Sequence, residues 1–474
     1  MSTFRSLIRK AGLHKRTACY TPCVTLVADG EGCRIRCASP QVAIQYHHPG
    51  SFIASIHRLP LEALVAVEGK EHDSVTVDGD GRQRTLVSWT DRGVPRQTSF
   101  DLPKPTTFPD TPTEFATNEP ALWSALRDAV PVTDRESSRY ALGCLHLRGG
   151  LGQIDATDGK HVLTQAGFKF PWSDDVLLPA NGILGCRALT LNQPIEVGRA
   201  GDWIAFCAGP WLVMLAAQKE GRYPKIDDVI PKPGTAKSRL ELSADDAKFL
   251  GDVLPRLPCD DPLFEPITLD LNGRVLVRAR EEGRSQPTEV ELAGSRLDGE
   301  AVMFNSNRSY LAHALRLGFR TLHCFGPESP VLCADERRRF LWCLLDAKSA
   351  IPRHDDPVCI SVPAATPRSL RGFKPETPHV ASTLSPEGSM TARNTNLKVS
   401  SSTTAPKPHD AEPKTSAARP ASSPIEQALA LRDMLREVAR QAGDLARALK
   451  QQKRQARIVA TTLASLKELQ KAAA

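Results

Sequence analysis

One pattern, returning three times at a spacing of about 120 residues, constrains this chain more than any composition does. "CVTLVADGEGCRIRCAS" starts at Cys23, "CLHLRGGLGQIDATDG" at Cys144 and "PITLDLNGRVLVRARE" at Pro266, so the starts lie 121 and 122 residues apart. Each copy reads as an alternating strand, a glycine-bearing turn and a second strand. A second pattern follows each, a short amphipathic helix and then two strands around a tight turn. The copies are "HRLPLEALVAV" with "SVTVDGDGRQRTLVSW", "PANGILGCRALTL" with "PIEVGRAGDWIAFCAG", and "NSNRSYLAHALRLG" with "TLHCFGPESPVLCAD". Helices are therefore expected from about residues 57, 179 and 305, the last with Asn305 as N-cap and Gly318 at its C-terminal end. Additional helices, "NEPALWSALRDAV" and "SADDAKFLGDVLPRL", open the second and third copies. A period of 3.6 in the helices and 2 in the strands gives an α+β class, with three tandem domains at 1–115, 116–236 and 237–350. The proline-rich stretches 101–115 and 223–238 read as connectors.

Beyond the repeats the composition changes. Residues 351–423 are rich in Pro, Ser, Thr and Ala and poor in large apolar side chains, which predicts a disordered linker. From Pro424 the pattern turns helical. Leu431, Leu435, Val438, Ala442, Leu445 and Leu449 alternate spacings of four and three, and the seam runs on to Leu466 through Gln452 and Ala456. That predicts a coiled-coil or helical-hairpin tail over 424–474, with a coiled-coil partner as one consequence. Its basic "KQQKRQAR" reads as a solvated face or as a nucleic-acid contact. The net charge of +7 is concentrated here: residues 351–474 hold 19 Lys and Arg against 11 Asp and Glu, and the first 350 residues hold 42 against 43. A nearly neutral body leaves its partners to local patches of charge.

No segment reaches the roughly 18 apolar residues of a membrane span. The most apolar stretch, residues 203–217, is split by Gly209 and Pro210 and reads as two buried strands. The N-terminal "MSTFRSLIRKAGLHKR" is basic and free of acids. It reads as a first amphipathic helix, a transit peptide being the other reading, and it lacks the apolar run of a secretory signal. The twelve cysteines are expected as reduced thiols in a cytoplasmic protein.

Several residues look chemical. "IDATDGKHVL", residues 154–163, sets Asp158 and His161 three positions apart at a strand end. A general acid–base pair needs a positioned base and a nucleophile. The sister positions in the other repeats, "RCASP" and "RAREEG", hold no such pair, so Asp158 and His161 are expected as turn and surface residues. Cys19, Cys23, Cys33 and Cys37 form a C-x3-C pair of pairs. Zinc is one reading, but the repeat places these residues on strands, where buried thiols and no metal are expected. "DGEG" and "DGDG" read as hairpin turns.

"SSRYALGCL", "ATDGKHVL", "LPANGIL" and "EGRYPKIDDVIP", together with "FDLPKPTTFPD" and "MFNSNRSYLAHAL", resemble in order and spacing the bacterial DNA polymerase III beta subunit, the sliding clamp, over about residues 20–345. The resemblance implies three clamp-type domains in a crescent, two crescents closing head to tail into a homodimeric ring, and helices lining a hole around duplex DNA. It implies a non-catalytic processivity factor without cofactor, whose partners are duplex DNA bound without sequence preference, the replicative polymerase and the clamp loader. The candidate channel residues are then Arg58, Arg127, Arg187, Lys248, Arg256, Arg308 and Arg316.

By the same resemblance, partners dock short linear motifs in a cleft built here from Leu142, Thr157, Gly159, Lys160, Val162, Pro224, Asp228 and Val229. Lys160 stands where the family commonly has His, and Asp228 where it commonly has a basic residue. The family's apolar C-terminal tail is replaced by "FLWCLLDAKSAIP", which offers Leu344 and Leu345. These departures support a second expectation, a divergent clamp-fold paralogue that serves as an interaction module without loading on DNA.

Overall fold

A computed structural model describes residues 2–362 except 18–19, 68–73, 80–83, 92, 102, 105, 135, 138–139, 190–191, 262–263, 282 and 284–285. The expected linker beyond residue 362 and the expected coiled coil lie outside the described residues.

The first repeat comprises α1 (Ser2–Ala11), β1 (Cys23–Asp29), β2 (Gly32–Ala38), β3 (Val42–Pro49), β4 (Ser55–Pro60), α2 (Leu61–Ala66), β5 (Val75–Gly79), β6 (Arg84–Asp91) and β7 (Val94–Asp101). The second comprises β8 (Phe115–Asn118), α3 (Ala121–Ala129), β9 (Cys144–Arg148), β10 (Gln153–Thr157), β11 (His161–Ala166), β12 (Asp175–Pro179), β13 (Ile195–Ala200), β14 (Trp203–Ala208) and β15 (Trp211–Ala216). The third comprises β16 (Ser238–Glu241), α4 (Ala244–Val253), β17 (Pro266–Asp270), β18 (Leu276–Ala279), β19 (Thr288–Glu291), β20 (Arg296–Gly299), β21 (Met303–Asn307), α5 (Arg308–Arg316), β22 (Thr321–Cys324), β23 (Val331–Ala334) and β24 (Arg338–Trp342). A last strand, β25 (Val358–Ser361), follows the third repeat.

Each repeat builds two half-sheets, and neighbouring repeats share them. The order β4-β1-β2-β3-β15-β14-β13-β8 joins the first half of repeat one to the second half of repeat two. The order β12-β9-β10-β11-β24-β23-β22-β16-β20 does the same for repeats two and three. At the joints residues 42–46 pair antiparallel with 211–215, and 161–165 with 338–342. An unpaired sheet edge carries a row of unsatisfied N–H and C=O groups, and these joints satisfy them. Two half-sheets are left over: β5-β6-β7 from repeat one and β21-β17-β18-β19 from repeat three.

β25 continues the second of these. It runs parallel to β19, pairing 358–361 with 288–291, where a disordered linker was expected. Tertiary bonds hold the segment in place although its composition reads as a linker. The Ile351 N–H donates to Thr268 Oγ1 at 2.8 Å, Arg278 Nη1 donates to the Ile351 carbonyl at 3.3 Å, and Arg353 Nη2 lies 3.1 Å from Asp270 Oδ2.

The opening helices pack on the core. α1 buries Phe4, Leu7 and Ile8 in the same cluster as Leu122, Trp123 and Leu126 of α3. Each such side chain stabilises by about 1.5–3 kcal/mol. The helix expected from residue 179 does not form, and turns lead instead to a single 3-10 turn at Arg187–Leu189. A Cβ at Gly182 would lie 2.7 Å from the Lys10 carbonyl, so the chain bends here against the end of α1 and needs a bare glycine. The helix expected from residue 57 begins only at Leu61. The residue before a proline is steered away from helix, and Pro60 keeps Arg58 and Leu59 in β4, paired with β1. The third helix begins at Arg308, capped by Asn307, whose side chain accepts the Ser309 N–H at 2.8 Å. Asn305 stays in β21, where its amide donates to the Asp346 carbonyl at 3.0 Å. Gly318 follows the helix end as expected.

Candidate clamp cleft and helical face

The site begins with a turn. Gly159, at φ +86°, joins β10 to β11 and leaves its Cα face open toward Leu142 Cδ1, 3.9 Å from where a Cβ would sit. Thr157, buried, donates its hydroxyl to the His161 carbonyl at 2.7 Å and accepts the Gly159 N–H at 3.0 Å. Asp158 Oδ1 accepts the backbone N–H groups of Lys160 at 2.7 Å and His161 at 2.9 Å, and sits 2.8 Å from His161 Nδ1. Burial alone would raise Asp158; the His161 ring and the two backbone N–H groups outweigh it and hold the carboxyl below its ordinary value. The Asp158–His161 pair thus closes a turn.

His161 is not a surface residue, as the sequence suggested. It is 6% exposed and stacks on Tyr310 of α5 with ring centroids 4.6 Å apart, with Phe340 of β24 edge-on at 5.8 Å. Burial, with Asp158 and Cys343 adding, pushes the Tyr310 hydroxyl up to about 12. Lys160 is exposed, and its carbonyl accepts the Cys343 N–H at 2.9 Å. The turn is thereby fastened to the third repeat.

Next to the turn, at the joint of repeats two and three, lies a separate apolar cluster. Val162, Ile226, Leu332 and Leu341 are buried together, with Tyr223, Ile230, Phe325 and Ala334 packed against them. Val162 was expected here. Ile226 and Ile230 were missed although their neighbours Pro224, Asp228 and Val229 were named, and Phe325, Leu332 and Leu341 because strand pairing between repeats is invisible in a linear pattern. Pro224 and Asp228 line a cavity of about 750 Å³ that Ile226, Tyr223, His146, Arg148 and Leu177 also line. His146 stacks on Tyr223 at 4.5 Å and lies between Asp155 and Asp175. Asp228 is exposed and Val229 is 57% exposed, so a charge and an apolar side chain both reach solvent beside the cluster. Leu142 is buried. Leu344 packs instead on the main core, and the Leu345 N–H donates to the Asn305 carbonyl at 3.0 Å.

The basic candidates divide into two groups. Arg58 sits on a strand with Nη1 3.3 Å from the Pro103 carbonyl, Arg127 pairs with Asp128 at 3.3 Å, and Arg308 donates to the Leu257 carbonyl and lies 3.8 Å from Glu265. Arg187, Lys248, Arg256 and Arg316 are exposed. α4, the 3-10 turn Leu254–Arg256 and α5 pack on one another, which collects Lys248, Arg256 and Arg316 into one helical group. Helix α1 adds exposed Arg9 and Lys10 in its last turn. Its signal in the sequence was the absence of any acid before Asp29.

Cys23 and Cys37 are buried on β1 and β2, and burial pushes the Cys37 thiol up to about 12. Among the described residues no three His, Cys, Asp or Glu side chains are grouped to hold a metal ion, and no helix is long and apolar enough to cross a membrane.

Three repeats joined by shared sheets, with helices opening each repeat, define a DNA-clamp fold. Solved structures bear this out. A DNA polymerase beta subunit of Streptococcus pyogenes superposes with a TM-score of 0.60 at 13% identity, covering 73% of this chain and 98% of its own. The DnaN sliding clamp (DNA polymerase III subunit beta) of Pseudomonas aeruginosa, bound to griselimycin, gives 0.59 at 18% identity over 72% and 96%. The DnaN sliding clamp of Bartonella birtlesii, also bound to griselimycin, gives 0.59 at 15% over 73% and 97%. No protein-family model matches the chain, and neither does a curated protein sequence. The chain has the fold of the DNA polymerase III beta subunits, in a strongly divergent sequence.

Proposed function

We propose that this chain is a sliding clamp, a non-catalytic factor that encircles duplex DNA as a ring of two copies and tethers a polymerase to it. The observation that carries this is the order of the sheets. Each first half-sheet is continued by the second half-sheet of the next repeat, which leaves β21-β17-β18-β19 and β5-β6-β7 without that partner. A second copy supplies the missing joint at each end. Two such head-to-tail contacts close a ring. The exposed Arg9, Lys10, Lys248, Arg256 and Arg316 then supply long-range, sequence-independent attraction to phosphates. The apolar cluster around Val162 and Ile226 supplies a pocket for apolar anchors of linear motifs from the polymerase and the clamp loader.

A ring threaded on DNA is lost only at an end. The test is retention on singly nicked circular DNA, with a clamp loader and ATP, before and after the circle is cut. The clamp reading requires retention on the circle and release from the linear product; equal behaviour on both forms contradicts it. A second reading, a clamp-fold interaction module that does not load, rests on one observation, that β25 already occupies the β19 edge.

A further inference from the structure

We infer that β25 is a built-in cap on the ring-closing edge, so that this chain controls its own closure by exchanging β25 for β7 of a second copy. The inference rests on the clamp reading above. In repeats one and two the strand that ends the first half-sheet, β3 or β11, receives the last strand of the next repeat, β15 or β24. β19 is the corresponding strand of repeat three, and the last strand of repeat one is β7. A second copy therefore adds its β7 where β25 lies. The two cannot pair with the same backbone groups together.

The cap is built to be displaced. It is four residues long and parallel, whereas the two internal joints run over five residues and are antiparallel. Parallel pairing is slightly the weaker per residue. Val358, Cys359 and Ser361 are exposed, and Ile360 alone of the four packs on the core. The segment is nonetheless fastened beside the edge by Asp356, whose Oδ2 accepts from Gln286 Nε2 at 2.7 Å. An intramolecular strand held this way competes at high effective concentration with a second copy.

β7 fits the other half of the exchange. It is eight residues long, exposed along nearly all of its length and, among the described residues, paired on one side only, with β6. Pro95 has no N–H, and such a residue is tolerated in a strand where that N–H would face away from the partner. In an antiparallel pair the outward N–H groups recur every second residue, so Gln97 and Ser99 present theirs to the free side.

The test is the mass of the full chain in solution at one fixed micromolar concentration, by light scattering after size exclusion. The Val358 N–H donates to the Pro287 carbonyl at 3.0 Å, and the alternation of a parallel ladder gives Ile360 the next inward N–H. Val358→Pro and Ile360→Pro each delete one of these donors and change no residue within the three repeats. The unaltered chain is expected at one chain mass, both cap variants at two, and each cap variant combined with Ser99→Pro back at one. Circular dichroism melting checks that every variant is folded. The inference is overturned if the folded cap variants keep one chain mass, or if the unaltered chain is already a dimer of the same strength as the variants. Retention on nicked circles separates the two claims. Variants that dimerise through β7 but slip off circles leave the cap standing and remove the clamp reading. Equal dimers that are equally retained do the reverse.

Discussion

Asp158 and His161 show how a residue pair that looks catalytic can serve a turn. One carboxylate oxygen accepts two backbone N–H groups and faces the imidazole. Replacing it removes those bonds and leaves the buried ring with one partner fewer. Asp158→Ala is expected to lower unfolding free energy by about 1–2 kcal/mol in urea titrations. Because the folded Asp158 titrates below its ordinary value of 3.8, its contribution is complete above that value and disappears as pH falls through the lower, folded one. The stability gap between the two proteins should therefore close in acid. His313 acts in the same sense, in a window at higher pH. Burial, with Arg316 and His161 adding, lowers it to about 4 from 6.5. Between these values the unfolded chain binds a proton that the folded chain refuses, so stability falls as pH drops through that window. His313→Gln should flatten the fall there, measured by melting temperature against pH. The turn was legible in "ATDGKH", since an Asp before Gly closes on the next backbone N–H groups. The burial of His161 was not, because its covers, Tyr310 and Phe340, come from the next repeat.

Among the elements, strands were easier to read than helices. Alternation located the hairpins of all three repeats, since side chains on a pleated strand have an unambiguous period of two. The helix expected from about 57 starts late, after Pro60, and the one expected from 179 is lost where the chain approaches α1 at Gly182. The β21-β17-β18-β19 sheet holds a feature with no trace in the pattern. Arg278, fully buried, lies between Asp270 of β17 and Glu289 of β19, bonding the latter at 2.9 Å. Arg278→Met would strip Glu289 of the cation it bonds and leave Asp270 with Arg353, and a loss of about 3–5 kcal/mol is expected in chemical denaturation. At the cleft, the strand residues Leu332 and Leu341 were as invisible as the joint that brings them to Val162. Phe325, only partly buried against that cluster, is available to a ligand. Phe325→Ala should weaken binding of an apolar linear-motif peptide by about tenfold or more in calorimetry, with little change in melting temperature.

At the scale of the whole molecule, the α+β class and the clamp-like fold were readable from the sequence. The sharing of sheets between repeats was not, because the pairing of 42–46 with 211–215 spans a domain boundary. That sharing is what turns a string of domains into a chain with two unmatched ends, one free at β7 and one covered by β25. The helix that opens the first repeat adds exposed Arg9 and Lys10 to the basic candidates. Reversing both, Arg9→Glu with Lys10→Glu, should lower affinity for any duplex sequence alike. Where both contact phosphates, the slope of log affinity against log salt should shrink by about two. A closed ring is held on DNA by topology, which affinity alone does not report. The Ile360→Pro chain, loaded on a nicked circle, is washed at a salt concentration that removes electrostatically bound protein, and the circle is then cut. A closed clamp survives the wash and leaves on cutting. Protein that leaves in the wash, or stays after the cut, would contradict closure around DNA.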